Sequence, residues 1–372
     1  MKYDVVIVGA GLCGCVFAER FATQLHKRVL IIEQRDHIGG NCFDYYNSDG
    51  ILVHKYGPHW FHTNDERIFE YLSQFTTWRM HDHIVKSSVE GKLYPFPVNI
   101  DTLRMLYDVD LRTEADVQAF YDSVRVKDIS FAQNAEEVII SRIGWDLYNK
   151  FFRNYTIKQW NLHPSMLDAS VTARIPVRYD NDHRYFTDKF QGVPSHGYTK
   201  MFREMISDPN ITVVLSTDYK TLLPRLSFDQ MIYTGSPDHF FGYRYGKLPY
   251  RSLRFEHQTL PVEYFQPCQQ VNYPNDFGFT RIVEWKHATG QISDVTTITR
   301  EYPCAGDDHN EKLYPIPTQQ NASIFNRYKQ AASRLPNVRF CGRLADYRYY
   351  NMDQVVGRAL SIFSKEIQPV PA

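Results

Sequence analysis

Near the amino terminus a mostly β-branched run, Tyr3 to Val8, is interrupted only at Asp4 and leads straight into Gly9-Ala10-Gly11-Leu12-Cys13-Gly14. An Ala/Phe-rich stretch of helical character follows to about Leu25, and Arg28 to Glu33 (RVLIIE) forms a second apolar run. Few folds accept this order. Strand, glycine turn, helix and strand make a βαβ unit with buried parallel strands. Gly9 permits the tight turn, Gly11 lets a pyrophosphate approach the backbone, and Gly14 lets helix and strand pack closely. Glu33, ending the second strand, stands where a ribose hydroxyl would donate to it. The glycine pattern alone is a weak signal, but here the flanking elements are all present. The fold class expected is α/β, built on a Rossmann-type dinucleotide-binding domain.

A second glycine pair follows in Arg35-Asp36-His37-Ile38-Gly39-Gly40-Asn41 and marks another close backbone approach. Dehydrogenases that use NAD have no standard need for it. FAD proteins related to glutathione reductase, monoamine oxidase and Rab GDP-dissociation inhibitors often carry it, so FAD is the expected cofactor.

The rest of the chain reads as insertions into this domain. Residues 101–168 carry helical spacing, with Leu103, Leu106 and Tyr107 on one face and Val138, Ile139, Ile143 and Leu147 on another. Segments 84–99, 171–187 and 255–298 alternate polar with β-branched or aromatic residues, as antiparallel strands do. Short apolar runs at 211–215, 231–234 and 338–341 return to the first domain, and Met352, Val355, Val356, Ala359, Leu360 and Phe363 share one face of a last helix. The expected division is a discontinuous FAD-binding domain (1–75, 206–240, 325–372), a helical insertion (101–168) and an antiparallel-sheet substrate domain (76–100, 169–205, 241–324). The Gly/Pro-containing stretch 192–197 is expected to be a loop that closes over substrate.

Charge narrows the partners. Lys plus Arg total 42, as do Asp plus Glu, so a formal net charge of zero argues against bulk attraction to nucleic acid or anionic membrane. Any bound anion must be held by local cations or backbone N–H groups. Six cysteines without a CxxC pair or zinc spacing fit a reducing compartment and no metal site. The first apolar stretch is too short to span a bilayer, so a cytoplasmic, unprocessed chain is expected. The 26 Tyr and 24 Phe mostly serve packing, yet Tyr in such numbers also suits a cleft that stacks rings and bonds sugar hydroxyls.

One stretch is unusual: His54-Lys55-Tyr56-Gly57-Pro58-His59-Trp60-Phe61-His62-Thr63-Asn64. Its histidines lack enough neighbouring carboxylates for a metal, and His59 and His62 beside a Gly-Pro break are candidates to face a flavin. His81-Asp82-His83 reads as surface or strand. YGPHWFHT resembles the flavin-proximal motif of bacterial UDP-galactopyranose mutases. So do Phe151-Phe152 with the following YTIKQW, LDASVTARIPVR (167–178), DHRYFTDKFQGVP (182–194), FTRIVEWKH (279–287), LYPIP (313–317) and CGRLADYRYYNMD (341–353). These matches run nearly end to end and in order.

The resemblance implies an isomerase that interconverts UDP-galactopyranose and UDP-galactofuranose, or acts on a close nucleotide-sugar relative. Reduced FAD would be the nucleophile at the anomeric carbon. It implies cofactor contacts from Gly9, Gly11, Cys13, Gly14, Glu33, Gln34, Gly40, Asn41, His59, Trp60, Gly342, Arg343, Tyr350, Asn351 and Met352. Substrate contacts would come from Phe151, Phe152, Tyr155, Thr156, Trp160, Arg174, Tyr185, Asn272, Arg281, Tyr314 and Tyr349, with Arg174, Arg281, His59 and His62 catalytic. Arg suits a diphosphate because its planar fork bonds two oxygens at once. An external reductant such as NAD(P)H and a homodimer are further expectations. The family pattern carries Asp where Asn351 stands; Asn351 with Gln354 still resembles a capping box for the last helix. Two other readings stay open on the residues alone: a flavin oxidase of the monoamine oxidase type, and a flavin-free binding protein like Rab GDP-dissociation inhibitors.

Overall fold

The computed structural model describes residues 2–307 and 310–367; Met1, residues 308–309 and residues 368–372 of the expected domains lie outside the described residues. The strands Val5–Val8 and Val29–Ile32, each buried at every position, sit side by side in a five-stranded parallel sheet. Its order is Ile211–Val214, Val29–Ile32, Val5–Val8, Gln230–Tyr233, Val338–Phe340. Side chains alternate across it as strand geometry requires. Val5, Ile7, Val29 and Ile31 meet the helices Leu12–Leu25 and Met352–Ile362 on one face, and Val6, Val8, Leu30 and Ile32 meet Tyr219 on the other. Each such side chain contributes about 1.5–3 kcal/mol by leaving water, which is why this short motif dominates the fold.

The helical insertion holds Ile100–Tyr107, Glu114–Val124, Ala135–Leu147 and Asn154–Trp160. Side chains start the first three: Asn99, Thr113 and Asn134 accept from the backbone N–H groups of Thr102, Asp116 and Glu137. Leu103, Val138, Ile139, Ile143 and Leu147 are buried in its core, with Leu106 and Tyr107 packed against it. Beside it lies a seven-stranded sheet in the order Tyr314–Pro315, Tyr250–Leu260, Thr296–Gly306, Arg281–Glu284, Gln270–Asn272, Val85–Val89, Lys92–Phe96. Among the described residues no helix is long and apolar enough to cross a membrane.

Several expectations need correction. The large sheet is mixed, because Gln270–Asn272 runs parallel to Val85–Val89; long intervening chain between these strands permits that direction. Segment 171–187 is not a strand. Asp168 Oδ1 accepts from Ser170 N–H at 2.9 Å in the turn ahead of the short helix Ser170–Ala173, and Pro176 follows, leaving a single bridge between Ile84 and Arg184. Residues 192–197 do not form a free loop, because Phe190–Pro194 is the central strand of a small sheet between Phe61–Thr63 and Trp78–Met80. Helix Tyr198–Met205 buries Tyr198, Met201, Phe202 and Met205 against Leu12–Leu25, so it belongs with the dinucleotide domain and not with the substrate sheet. The boundary at 325 cuts through helix Gln319–Ala332.

Candidate active site

At the carboxyl ends of the parallel strands, the turn after Val8 opens into a cavity of about 590 Å³, within the size range of small-molecule sites. Gly9, Gly11, Cys13, Glu33, Gln34, Gly40, Asn41, His59, Gly342, Arg343 and Met352 line it. Gly14 does not: it packs on the Gly9 carbonyl, which a side chain would strike at 2.0 Å. The two glycine turns abut. Gly40 has φ +55° and a Cβ there would stand 2.8 Å from Gly11 Cα, so backbone N–H groups are left open where a pyrophosphate would lie. Glu33 accepts from Ala10 N–H at 2.8 Å and Arg35 N–H at 2.9 Å, which fixes its carboxylate at the cavity wall. Trp60, Tyr350 and Asn351 are not in the lining. Asn351 instead begins helix Met352–Ile362, where Gln354 accepts from its N–H at 3.0 Å, and Met352 and Val355 direct that helix end at the cavity.

Arg343 joins this cavity to a second subsite. It donates to the Tyr350 carbonyl at 2.7 Å, and its guanidinium lies 5.2 Å from the Tyr349 ring. Arg174, exposed at the end of Ser170–Ala173, sits 4.4 Å over the same ring, and Tyr314 stacks beside it at 5.8 Å. Burial raises the Tyr349 hydroxyl, but Arg174, Arg343 and Arg281 together pull it below the ordinary tyrosine value. Burial pushes Tyr155 and Tyr185 up as well, against the pull of Arg281 and Arg174, and Tyr314 up to about 12. One group of arginines therefore faces four tyrosines.

Arg281 is held differently. Across neighbouring strands Asn272, Arg281 and Glu301 form one row, and Arg281 Nε donates to Glu301 Oε2 at 2.6 Å. Glu301 is fully buried and its other oxygen has no hydrogen-bond partner among the described residues. Burial raises the Glu301 carboxyl even against Arg281.

The aromatic candidates separate. Trp160 packs with Tyr314 at the edge of the cleft, whereas Phe151 and Phe152 are only 2% exposed and meet Phe96 in the helical core. Thr156 is buried on the same helix as Tyr155. His59 points Nδ1 at the Gly57 carbonyl, 2.9 Å away, and burial lowers its pKa to about 3, so the imidazole is neutral. His62 is outside the cavity lining, stacked on Phe186 at 3.6 Å and paired with Asp188 at 3.0 Å. Sequence reading does not reach Glu301, Ser236 or Lys312. A Thr-Gly-Ser turn after Gln230–Tyr233 is the signal for Ser236, since strand-ending turns build such cavities.

These features define a Rossmann-type α/β protein with a glycine-lined cavity at the carboxyl ends of its parallel strands and three arginines gathered among tyrosines beside it. The family model described as UDP-galactopyranose mutase matches residues 150–349, and one for an NAD(P)-binding Rossmann-like domain matches residues 7–75. A probable UDP-galactopyranose mutase of Klebsiella pneumoniae is 35% identical, over 99% of this chain and 97% of that one. A dTDP-fucopyranose mutase of Escherichia coli is 34% identical, over 96% of each. A crystal structure of reduced UDP-galactopyranose mutase superposes with a TM-score of 0.77 at 16% identity, covering 98% of this chain and 93% of that chain. The chain belongs to the UDP-galactopyranose mutase family.

Proposed function

We propose that this protein interconverts UDP-galactopyranose and UDP-galactofuranose, or a close nucleotide-sugar pair, with FAD as its cofactor. The convergence of Arg174, Arg281 and Arg343 on Tyr349, next to a glycine-lined dinucleotide cavity, carries the reading. A diphosphate gripped there would hold its sugar toward a flavin. The residues fit FAD: Gly9, Gly11 and Gly40 would admit the pyrophosphate, Glu33 the ribose, and Cys13, Gln34, Asn41, His59, Gly342, Arg343 and Met352 the remaining wall. Trp60, Tyr350 and Asn351 would support that wall from behind. When bound and reduced, FAD would supply the nucleophile at the anomeric carbon.

The chain's own residues do the rest. Arg174 and Arg281 take up the negative charge that grows on the nucleotide as the sugar–oxygen bond breaks, and an interaction that strengthens with developing charge lowers the barrier. Tyr155, Tyr185, Tyr314, Tyr349 and Asn272 orient the diphosphate and sugar. Thr156 and Trp160 receive the base, with Phe151 and Phe152 as the packed support of that helix. Neutral His59 offers a hydrogen bond without adding charge, and His62, tied to Asp188, steadies the adjoining strand. An external reductant such as NAD(P)H, a homodimer and a cytoplasmic location complete the proposal. The test is product analysis after dithionite-reduced protein is incubated with UDP-galactose and dTDP-fucose. A furanose product from either supports the mutase, its identity assigns the nucleotide, and no furanose from a flavin-loaded preparation refutes it.

A further inference from the structure

Lys158 stands half-buried between Thr156 and Trp160 on the helix Asn154–Trp160, and the sequence alone gives it no role. Its Nζ reaches three backbone carbonyls at once: Tyr273 at 2.8 Å, Asp276 at 2.7 Å and Phe279 at 3.5 Å. An ammonium group has three hydrogens and no acceptor, so it suits a point where three carbonyls converge. Burial lowers its pKa, and the nearby Asp276 works against that. The three carbonyls belong to the turn of a hairpin between Gln270–Asn272 and Arg281–Glu284, closed at its neck by Tyr273 N–H donating to the Thr280 carbonyl at 2.8 Å. Asn272 and Arg281 are the strand pair nearest that turn. A second tie lies beside the first: Asn154 donates to Asn275 at 3.0 Å, and Asn275 donates to the Lys150 carbonyl at 2.9 Å. Each partner is also secured without Lys158. Both strands sit inside the seven-stranded sheet, and Arg251 holds the end of the helix by donating to the Gln159 carbonyl at 2.9 Å. The fold therefore does not depend on the clamp, whereas the placing of one cleft wall against the other does.

We propose that Lys158 is a positioning residue for nucleotide binding, its ammonium group clamping the hairpin turn onto the helix so that Arg281 and Asn272 stay at a fixed span from Tyr155 and Trp160. The proposal rests on the mutase reading, in which the helix receives the base and Arg281 the diphosphate of one nucleotide. A ligand that touches both walls binds best when their separation is set beforehand, because the cost of ordering them on binding is subtracted from its affinity. Lys158 acts through Arg281 and touches no ligand itself. It is not in the lining of the dinucleotide cavity, so FAD retention is independent of it.

The test measures the dissociation constants of UDP and dTDP on flavin-loaded, oxidised protein by calorimetry, with flavin absorbance and thermal melts as controls for fold. Lys158→Met keeps the length of the side chain and removes all three donors. It should retain flavin and a cooperative melt, and bind the preferred nucleotide about five- to tenfold more weakly. In an Arg281→Ala/Glu301→Gln background the same substitution should change affinity by less than about twofold, because the group it positions is gone. A general loosening of the fold would instead weaken binding equally in both backgrounds. Asn275→Ala, at an exposed position of the turn, severs the second tie and should cost about two- to threefold with the same dependence on Arg281; it carries the test should the Met variant not fold. Wild-type affinity in a folded Lys158→Met protein, or in Asn275→Ala where that variant stands alone, overturns the proposal, as does an equal loss in both backgrounds. Wild-type protein that binds nucleotide but forms no furanose counts against the mutase reading, and the clamp is then still decided by the two backgrounds. Flavin-loaded wild type that binds neither nucleotide overturns both.

Discussion

Removing Arg281 does two separable things, because its partner is a carboxylate with no access to water. Glu301 is fully buried, and Arg281 is its one ion-pair partner among the described residues. Leaving a buried charge alone typically costs about 3–5 kcal/mol. The carboxyl has an escape, which is to take up a proton. With an ordinary pKa of 4.5, that costs about 3.4 kcal/mol at pH 7 and about 1.4 kcal/mol at pH 5.5. Arg281→Ala should therefore be destabilised by about 3 kcal/mol at pH 7, and the deficit should shrink as pH falls. The sign is fixed by linkage: a carboxyl whose folded pKa is raised above its unfolded value binds a proton preferentially in the folded state, so its penalty is absent below the unfolded pKa, grows as pH rises toward the folded pKa and levels off above it. Urea unfolding of wild type, Arg281→Ala and Arg281→Ala/Glu301→Gln at the two pH values makes the comparison. The double variant should recover most of the stability at pH 7 and lose the pH dependence. It should recover no turnover, because the diphosphate still lacks its cation. An Arg281→Ala protein equally destabilised at both pH values, or not rescued by adding Glu301→Gln, would refute the assignment of the penalty to Glu301.

Among the described residues Arg174 has no carboxylate to strand, so Arg174→Ala should leave urea stability within about 0.5 kcal/mol of wild type while furanose formation falls on the order of a hundredfold or more, with Lys restoring only part. Glu33→Ala removes the acceptor for two backbone N–H groups and, under the proposed function, for a ribose hydroxyl; flavin-to-protein absorbance after dialysis should drop, reflecting roughly ten- to a hundredfold weaker retention. His59 titrates near 3 in the folded protein against an ordinary 6.5, so it destabilises the fold as pH drops through that window, and His59→Gln should flatten the stability curve below pH 6.5. Asn351→Asp places charge at the helix end that faces the cavity, and spectroelectrochemistry should show a flavin potential lowered by tens of millivolts, on the order expected for a partly screened charge; an unchanged or raised potential would count against that helix sensing the flavin.

The dinucleotide half of the molecule was legible because its information is local. A strand of β-branched residues, three glycines at fixed spacing and an acidic residue after the next strand each act on near neighbours, and the folded chain keeps them together. The substrate half was less so. The alternation over 171–187 mimics a strand, yet the turn held by Asp168 and the break at Pro176 decide the backbone there. Phe151 and Phe152 look like a platform in one dimension, but which side of a helix meets Phe96 depends on a hairpin far away in sequence. Glu301 sits next to Arg300 in Thr296–Gly306 with nothing local to single it out; it is buried because the Gly57 turn and Phe255 cover it. His83 escapes a reading of the sequence for the same reason: the residues that bury it lie far along the chain.

The charge inventory of the cleft explains why so many histidines gather there without acting as cations. His54 and His59 are each lowered to about 3 and His83 well below its ordinary value, burial being the largest cause in every case. The positive charge is thus carried by Arg174, Arg281 and Arg343, and Glu301 offsets part of it. Protonated imidazoles in place of neutral ones would deepen the well for a free nucleoside diphosphate. A mutase must then return that nucleotide to the rearranged sugar, so an over-strong grip would slow recombination as surely as a weak one slows cleavage. Neutral rings supply shape and directed donors while leaving the field to guanidinium groups, whose number is fixed across the physiological range. The aromatic faces around Arg174 serve the same balance. They hold its guanidinium in place through Tyr349 without a carboxylate that would compete with phosphate for its donors. Arg281, which has such a carboxylate, shares only Nε with it, and under the proposed function the two terminal nitrogens of its fork would be left for the diphosphate.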